Sequence, residues 1–127
     1  MNKLLSIFTN NIKQGQLLFK KNITLKNKSI YYQILSILKQ EGLIYDFEYL
    51  QNTNQILVHL RYYKNFGVVR FLSNFKNFKN YQNISYLDLL QLEKFAPLII
   101  LDSSKGIITH FQAKSFKIGG QILFILY

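Results

Sequence analysis

The sequence predicts an α+β fold in two small lobes: an N-terminal α-β-α-β-β(-β) lobe and a C-terminal lobe that is mostly β with short helices. Three observations carry this expectation. Apolar residues recur at helical spacing in two N-terminal segments and alternate with polar ones along Gln55–Tyr62. A polar stretch with interleaved aromatics and no long apolar face interrupts the middle of the chain. Beyond it lie short apolar runs punctuated by Pro97, Gly106 and Gly119-Gly120. The expected division is 1–73 for the first lobe, 74–83 for a linker and 84–127 for the second.

Leu4, Leu5, Phe8 and Ile12 place a first helix over residues 3–13, with Gly15 as its stop. Asn22–Leu25 is a short strand. Ile30, Ile34, Leu35 and Leu38 define a second helix from Ser29 to Glu41, closed by Gly42. Three strands follow, at Leu43–Leu50, Gln55–Tyr62 and Val68–Leu72, the first two joined by a turn at Gln51–Asn54. In the middle strand Ile56, Val58 and Leu60 face one side; Leu57, His59 and Arg61 face the other. The second half begins with a helix over Tyr86–Lys94, ended by Pro97. Leu98–Leu101 is a strand, Asp102–Gly106 a turn, and Ile107–Thr109 a second strand. Thr109 and Gln112 form a capping-box pattern that opens a helix over 110–116. Gln121–Tyr127 is a final apolar strand.

The chain has 127 residues, 49% of them hydrophobic, which is enough to build a core. Cysteine is absent, which excludes disulfides, thiolate metal sites and thiol nucleophiles. No apolar run approaches the ~18–20 residues that span a bilayer. The first residues lack the arginine- and serine-rich pattern of a transit peptide and a secretory cleavage site. Catalytic readings find little support. His59 lies mid-strand beside Arg61 without an orienting partner in the sequence; Asp46 and Glu48 share one strand face and are expected to pair with lysines. Neither a metal-ligand spacing nor a glycine-rich phosphate loop occurs. The expectation is a protein that is not an enzyme and uses no cofactor, metal or small-molecule substrate.

Lysine and arginine total 16 against 6 acidic residues, for a net charge of +10. That excess favours a polyanionic partner, nucleic acid before a membrane surface or an acidic protein. Three segments are candidates for contact, and each has an ordinary structural reading beside it. Asp102-Ser103-Ser104-Lys105-Gly106 offers hydroxyls to ribose and base edges and an ammonium to phosphate, or is a solvated hairpin turn. The aromatics of Asn74–Tyr81 could stack on bases or bridge the lobes. Lys20, Lys21, Lys26 and Lys28 suit phosphate contact or a solvated face.

Several segments carry a resemblance to a known family. Ser103-Ser104-Lys105-Gly106-Ile107-Ile108-Thr109-His110, then Ala113, then Ile118-Gly119-Gly120-Gln121-Ile122-Leu123, is similar to the C-terminal signature of the small-subunit ribosomal protein S-eight family. Ile12-Lys13-Gln14-Gly15-Gln16 and Glu41-Gly42-Leu43-Ile44-Tyr45-Asp46-Phe47 resemble two of its N-terminal blocks. The resemblance implies two small α/β lobes and a structural protein that grips an irregular helix in the central domain of small-subunit ribosomal RNA. It further implies that the C-terminal lobe makes most of that contact. Carried over by position, the contacts fall to Ser103, Ser104, Lys105 and Gly106, with Gly119 and Gly120 shaping the adjoining surface. In the first lobe they fall to Asn10, Asn11, Lys13, Gln14 and the Lys26–Ser29 loop with Lys28. The chain departs from the family pattern at Asp102, where a serine or threonine is usual, and at Asn10-Asn11, Lys26-Asn27-Lys28-Ser29 and Phe78-Lys79.

The expected function is therefore a structural constituent of the small ribosomal subunit, monomeric within it and neighboured by other ribosomal proteins, with no membrane role. The alternative is a generic basic RNA-binding or translational regulatory module; a module docking on acidic protein or anionic membrane is a further one. Lysine outnumbers arginine 14 to 2, and asparagine, isoleucine, phenylalanine and tyrosine are abundant. These residues have A/T-rich codons, which points to a very AT-rich genome, such as an organelle's; an AT-rich bacterium would give a similar composition. The expected location is the mitochondrial small subunit, with the chain encoded in the organelle.

Overall fold

A computed structural model describes residues 2–70, 83–94 and 97–126. The chain divides into two compact units, Met1–Val69 and Arg70–Tyr127. Mixed α+β structure is present in both, as the sequence predicts. Most of the stretch read as a linker, together with Phe71 and Leu72 of the strand expected at Val68–Leu72, lies outside the described residues.

In the first unit the order is α1 (Asn2–Leu17), β1 (Asn22–Lys26), α2 (Ser29–Gln40), β2 (Ile44–Leu50), β3 (Gln55–Leu60), β4 (Tyr62–Tyr63) and β5 (Phe66–Gly67). The first three strands form an antiparallel sheet in the order β1-β3-β2. The central strand β3 buries Ile56, Val58 and Leu60 on one face, as alternation requires. Helices α1 and α2 supply Phe8, Ile12, Ile34, Leu35 and Leu38, all fully buried. Phe8 and Tyr31 pack with ring centroids 5.3 Å apart, and the Tyr31 hydroxyl donates to the Leu4 carbonyl at 2.7 Å. Burial raises the Tyr31 phenol above its ordinary value, so it stays a donor.

Three features of this unit differ from the sequence reading. Gly15 does not stop α1. A β-carbon there would lie 2.5 Å from Ile23 Cγ2, so glycine lets strand β1 pack directly on the helix backbone. The stop comes at Phe19, which takes the left-handed position (φ 53°). Lys20 N–H donates to Gly15 O at 2.9 Å and Phe19 N–H to Gln16 O at 3.1 Å, the bond pair of a Schellman closure. Second, β3 ends at Leu60, and Val68–Arg70, the described part of the strand expected at Val68–Leu72, is not in a strand. Instead β4 and β5 make a two-stranded ribbon turned by Lys64 and Asn65, both at positive φ (50° and 67°). Val69 is buried but bonds to a side chain: Gln16 donates to its carbonyl at 2.9 Å and accepts its N–H at 3.0 Å. One glutamine amide thus replaces a strand partner.

Third, only one of the two β2 carboxylates pairs with a lysine. Asp46 meets Lys39 Nζ at 3.0 Å, whereas Glu48 meets His59 Nε2 at 3.4 Å. The register places His59 opposite Asp46, next to Glu48, and leaves it on the exposed side of the sheet.

The second unit contains α3 (Tyr86–Leu92), β6 (Leu98–Ser103), β7 (Gly106–Thr109), α4 (His110–Phe116) and β8 (Gln121–Leu126), with sheet order β7-β6-β8. Ser85 caps α3 by accepting Asp88 N–H. Thr109 and Gln112 form the expected reciprocal capping box on α4. Ile99, Leu101, Ile108, Ile122 and Ile125 from the sheet join Leu89, Ala113 and Ile84 in one buried cluster. His110 is buried, and its Nδ1 accepts the Ile99 N–H at 3.1 Å.

Candidate nucleic-acid interface

The β6–β7 hairpin presents the serine turn. Pairing runs from Ile100↔Thr109 to Ser103↔Gly106, so the sheet holds all but the two tip residues, Ser104 and Lys105. Gly106 has φ +96°, the left-handed residue that lets a tight turn rejoin a right-twisted ribbon. No atom lies within 4 Å of a β-carbon built on it, so its conformation, and not its space, requires glycine.

The two serines have different tasks. Ser103 Oγ donates to Gly106 O at 3.0 Å and accepts Lys105 N–H at 3.1 Å. Its hydroxyl ties the turn together from within. Ser104 is exposed, and its hydroxyl makes no hydrogen bond among the described residues. Lys105 is exposed as well; its ammonium stands 5.6 Å from the centroid of the Phe116 ring on α4. That cation–π contact localises the charge without neutralising it. None of the ion pairs among the described residues involves Lys105.

Gly119 and Gly120 build the wall beside this turn. Helix α4 closes on Lys117 in the left-handed conformation (φ 57°), with Ile118 N–H returning to Ala113 O at 3.0 Å. The chain then passes so close to Ile84 that a β-carbon on Gly119 would collide with the Ile84 carbonyl oxygen. One on Gly120 would lie 2.7 Å from Asp102 O. Two backbone bonds clamp the approach: Ile84 N–H to Gly120 O at 2.7 Å and Gly120 N–H to Ile84 O at 3.0 Å. An open pocket results, lined by Asn83, Ile84, Asp102, Ser103, Ser104, Ile118, Gly119, Gly120 and Gln121. The structure thus brings Ser103, Ser104, Gly119 and Gly120 together around one concavity. Asp102 is half-buried, and among the described residues its carboxylate neither caps a backbone N–H nor forms an ion pair.

Other candidates of the sequence reading lie on the first unit. Asn10, Asn11, Lys13 and Gln14 are exposed on α1, with Asn10, Lys13 and Gln14 at the three- and four-residue spacing that shares a face. Lys26 ends β1 and Lys28 takes the N-cap position of α2 without a side-chain cap bond. Both are exposed. Asn27 between them donates to Asn54 Oδ1 at 3.1 Å, pinning the loop to the β2–β3 turn. No hydrogen bond or ion pair among the described residues joins the α1 group to this loop.

Sequence reasoning did not single out Asn83, Ile84, Ile118 or Gln121 as pocket residues. The pairing of Ile84 with Gly120 is remote in sequence, and no local pattern announces it. The only available signal was the glycine pair itself.

The family model for ribosomal protein S8 matches residues 4–127. This chain belongs to the ribosomal protein S8 family. It is 34% identical over 115 residues to "Small ribosomal subunit protein uS8" of Legionella pneumophila (strain Corby), covering 88% of each chain. It is 29% identical over 133 residues to "Small ribosomal subunit protein uS8c" of Chlorella vulgaris, covering 97% of this chain and 96% of that protein. A protein of Wolbachia sp. subsp. Brugia malayi, also named uS8, is 29% identical over 118 residues. The resemblance read from the serine turn, the glycine pair and the two N-terminal blocks is therefore confirmed, and the S8 match spans both units of the fold.

Proposed function

We propose that this S8-family chain is a non-catalytic structural constituent of the small ribosomal subunit that binds the central domain of its ribosomal RNA. One observation carries the assignment of the contact. A turn stiffened by Ser103 holds the Ser104 hydroxyl, which has no hydrogen bond among the described residues, in a pocket walled by Gly119 and Gly120, and carries Lys105, which joins no ion pair among them. A hydroxyl that both donates and accepts suits a ribose 2′-OH, and the ammonium suits phosphate. Glycines at the wall expose backbone groups that a side chain would cover. Asn10, Asn11, Lys13, Gln14, Lys26 and Lys28 provide the first unit's share, chiefly as phosphate contacts that fix orientation. Its other partners are neighbouring small-subunit proteins.

What supports a mitochondrial location is the composition. The predominance of lysine over arginine, with abundant asparagine, isoleucine, phenylalanine and tyrosine, matches an AT-rich organelle genome. Sedimentation tests both parts. The protein should travel with mitochondrial small subunits and stay with them in moderate salt; recovery in free fractions, or with another compartment's ribosomes, would refute this reading. Filter binding to a central-domain transcript tests the turn: Ser104→Ala should weaken binding, and equal binding would remove the turn from the interface.

A further inference from the structure

Two segments of the first unit, residues 15–26 and 61–69, carry Lys20, Lys21, Lys26, Arg61 and Lys64 and no carboxylate. They converge structurally. Tyr62, at the base of the β4–β5 ribbon, donates its hydroxyl to Lys20 O at 2.6 Å and Gly15 O at 3.2 Å, and its ring lies 5.9 Å from that of Phe19. The ribbon is thereby fastened to the corner that ends α1.

Three aromatic rings remain largely in solvent there: Phe19 is 62%, Tyr63 67% and Phe66 65% exposed. Tyr63 follows Tyr62 in a paired strand, so it stands on the opposite face of the ribbon from the ring that Phe19 covers. Lys64, at the ribbon tip, holds its ammonium 5.3 Å from the Tyr63 centroid. Phe19 is also an expensive choice where it sits. The residue closing a Schellman corner takes φ > 0, which glycine adopts freely and a bulky side chain does not. The chain keeps a phenylalanine there at φ 53° and leaves most of its ring in water. Core packing does not account for that.

Exposed flat rings interleaved with cations and free of anions match a strand of unstacked bases on a phosphate backbone. A paired helix offers no base face to a ring, and an acidic peptide leaves the rings without a counterpart. We propose that the α1 corner and the β4–β5 ribbon contact unpaired RNA on both faces of the ribbon, with Phe19 stacking on a nucleotide at one face and Tyr63 at the other, and Lys20, Lys21 and Lys64 neutralising the adjoining phosphates. None of these residues belongs to the serine turn, though their role rests on the same reading of the chain as an RNA-binding protein.

The test uses the full chain and a fluorescent oligoadenylate decamer as unpaired probe, with the central-domain transcript measured in parallel. Phe19→Gly and Tyr63→Ala keep every charge, so an effect from them reports stacking and not electrostatics. Each should weaken decamer binding about tenfold or more, and Ser104→Ala should leave decamer binding unchanged while weakening the transcript. Phe19→Gly should also raise the melting temperature, because it relieves a left-handed phenylalanine, so lost binding in that variant cannot be ascribed to misfolding. Unchanged decamer affinity in Phe19→Gly and Tyr63→Ala overturns the proposal. So does displacement of the decamer by a glutamate decamer at equal concentration, which would make the surface a dock for acidic protein. Loss of transcript binding in Ser104→Ala alone bears only on the turn.

Discussion

At the scale of single residues, the two adjacent serines of the turn separate by the bonds they make. Ser103 spends its proton on Gly106 O and a lone pair on Lys105 N–H. Removing it should loosen the tip and lower RNA affinity indirectly. Ser104 has no such duty, so Ser104→Ala should weaken transcript binding by about 1 kcal/mol, the net worth of a typical hydrogen bond, with an unchanged thermal melt. Thermal denaturation beside filter binding separates the two variants. His110 gives a stability prediction of the opposite kind. Its Nδ1 is the acceptor for the buried Ile99 N–H, and His110→Ala removes it. Urea unfolding should register a loss of about 1–3 kcal/mol from the unsatisfied donor, beyond any cavity cost. Asp46 supplies a pH prediction. Hydrogen bonds from Lys39 and then from its neighbour's N–H hold its carboxyl below the ordinary carboxylate value. A depressed carboxyl stabilises the fold above its unfolded pKa, and that contribution disappears as pH falls through the lowered one. The group is fully exposed, so Asp46→Asn should flatten only the acid limb of the stability profile and only slightly.

At the scale of elements, glycines with different reasons should fail differently. Gly106→Ala meets open space and costs only the left-handed conformation, about 1 kcal/mol. Gly119→Ala meets the Ile84 carbonyl, which is backbone and cannot swing aside. It should break the Ile84–Gly120 bridge, cost about 1–3 kcal/mol or more, and abolish the pocket. Denaturant midpoints rank the two. The same distinction explains which elements the sequence reveals. Helix α2 and the Thr109–Gln112 cap are announced by residues within a few positions of one another, and both form where local spacing places them. Gly15 looks like a helix stop by local chemistry, but the sheet's approach at Ile23 gives glycine another purpose. The β4–β5 turn escapes notice because Lys64-Asn65 lacks the glycine that usually marks paired positive φ. Val69 reads as strand by propensity, yet the Gln16 amide claims its backbone first.

At the scale of the whole molecule, charge governs how the protein meets RNA. A net charge of +10 spread over candidate sites in both units implies affinity that falls steeply with salt. Replacing Lys26 and Lys28 with glutamine should make the slope of log affinity against log salt shallower by roughly 1.4–1.8, about 0.7–0.9 per phosphate contact, and should weaken all RNA sequences alike. The chemistry of the serine turn was legible from the residues: hydroxyls, an ammonium and a glycine at one tight connection. Its surroundings were not, because the concavity depends on chain segments far apart in sequence.

That remoteness has an outcome for how the protein is made. The hairpin carrying Ser104 and Lys105 joins neighbours in sequence and can fold as soon as those residues leave the translating machinery. The floor beside it waits for Gly120 to arrive and lock onto Ile84. A nascent polypeptide that has not yet emerged that far owns a fingertip without a palm.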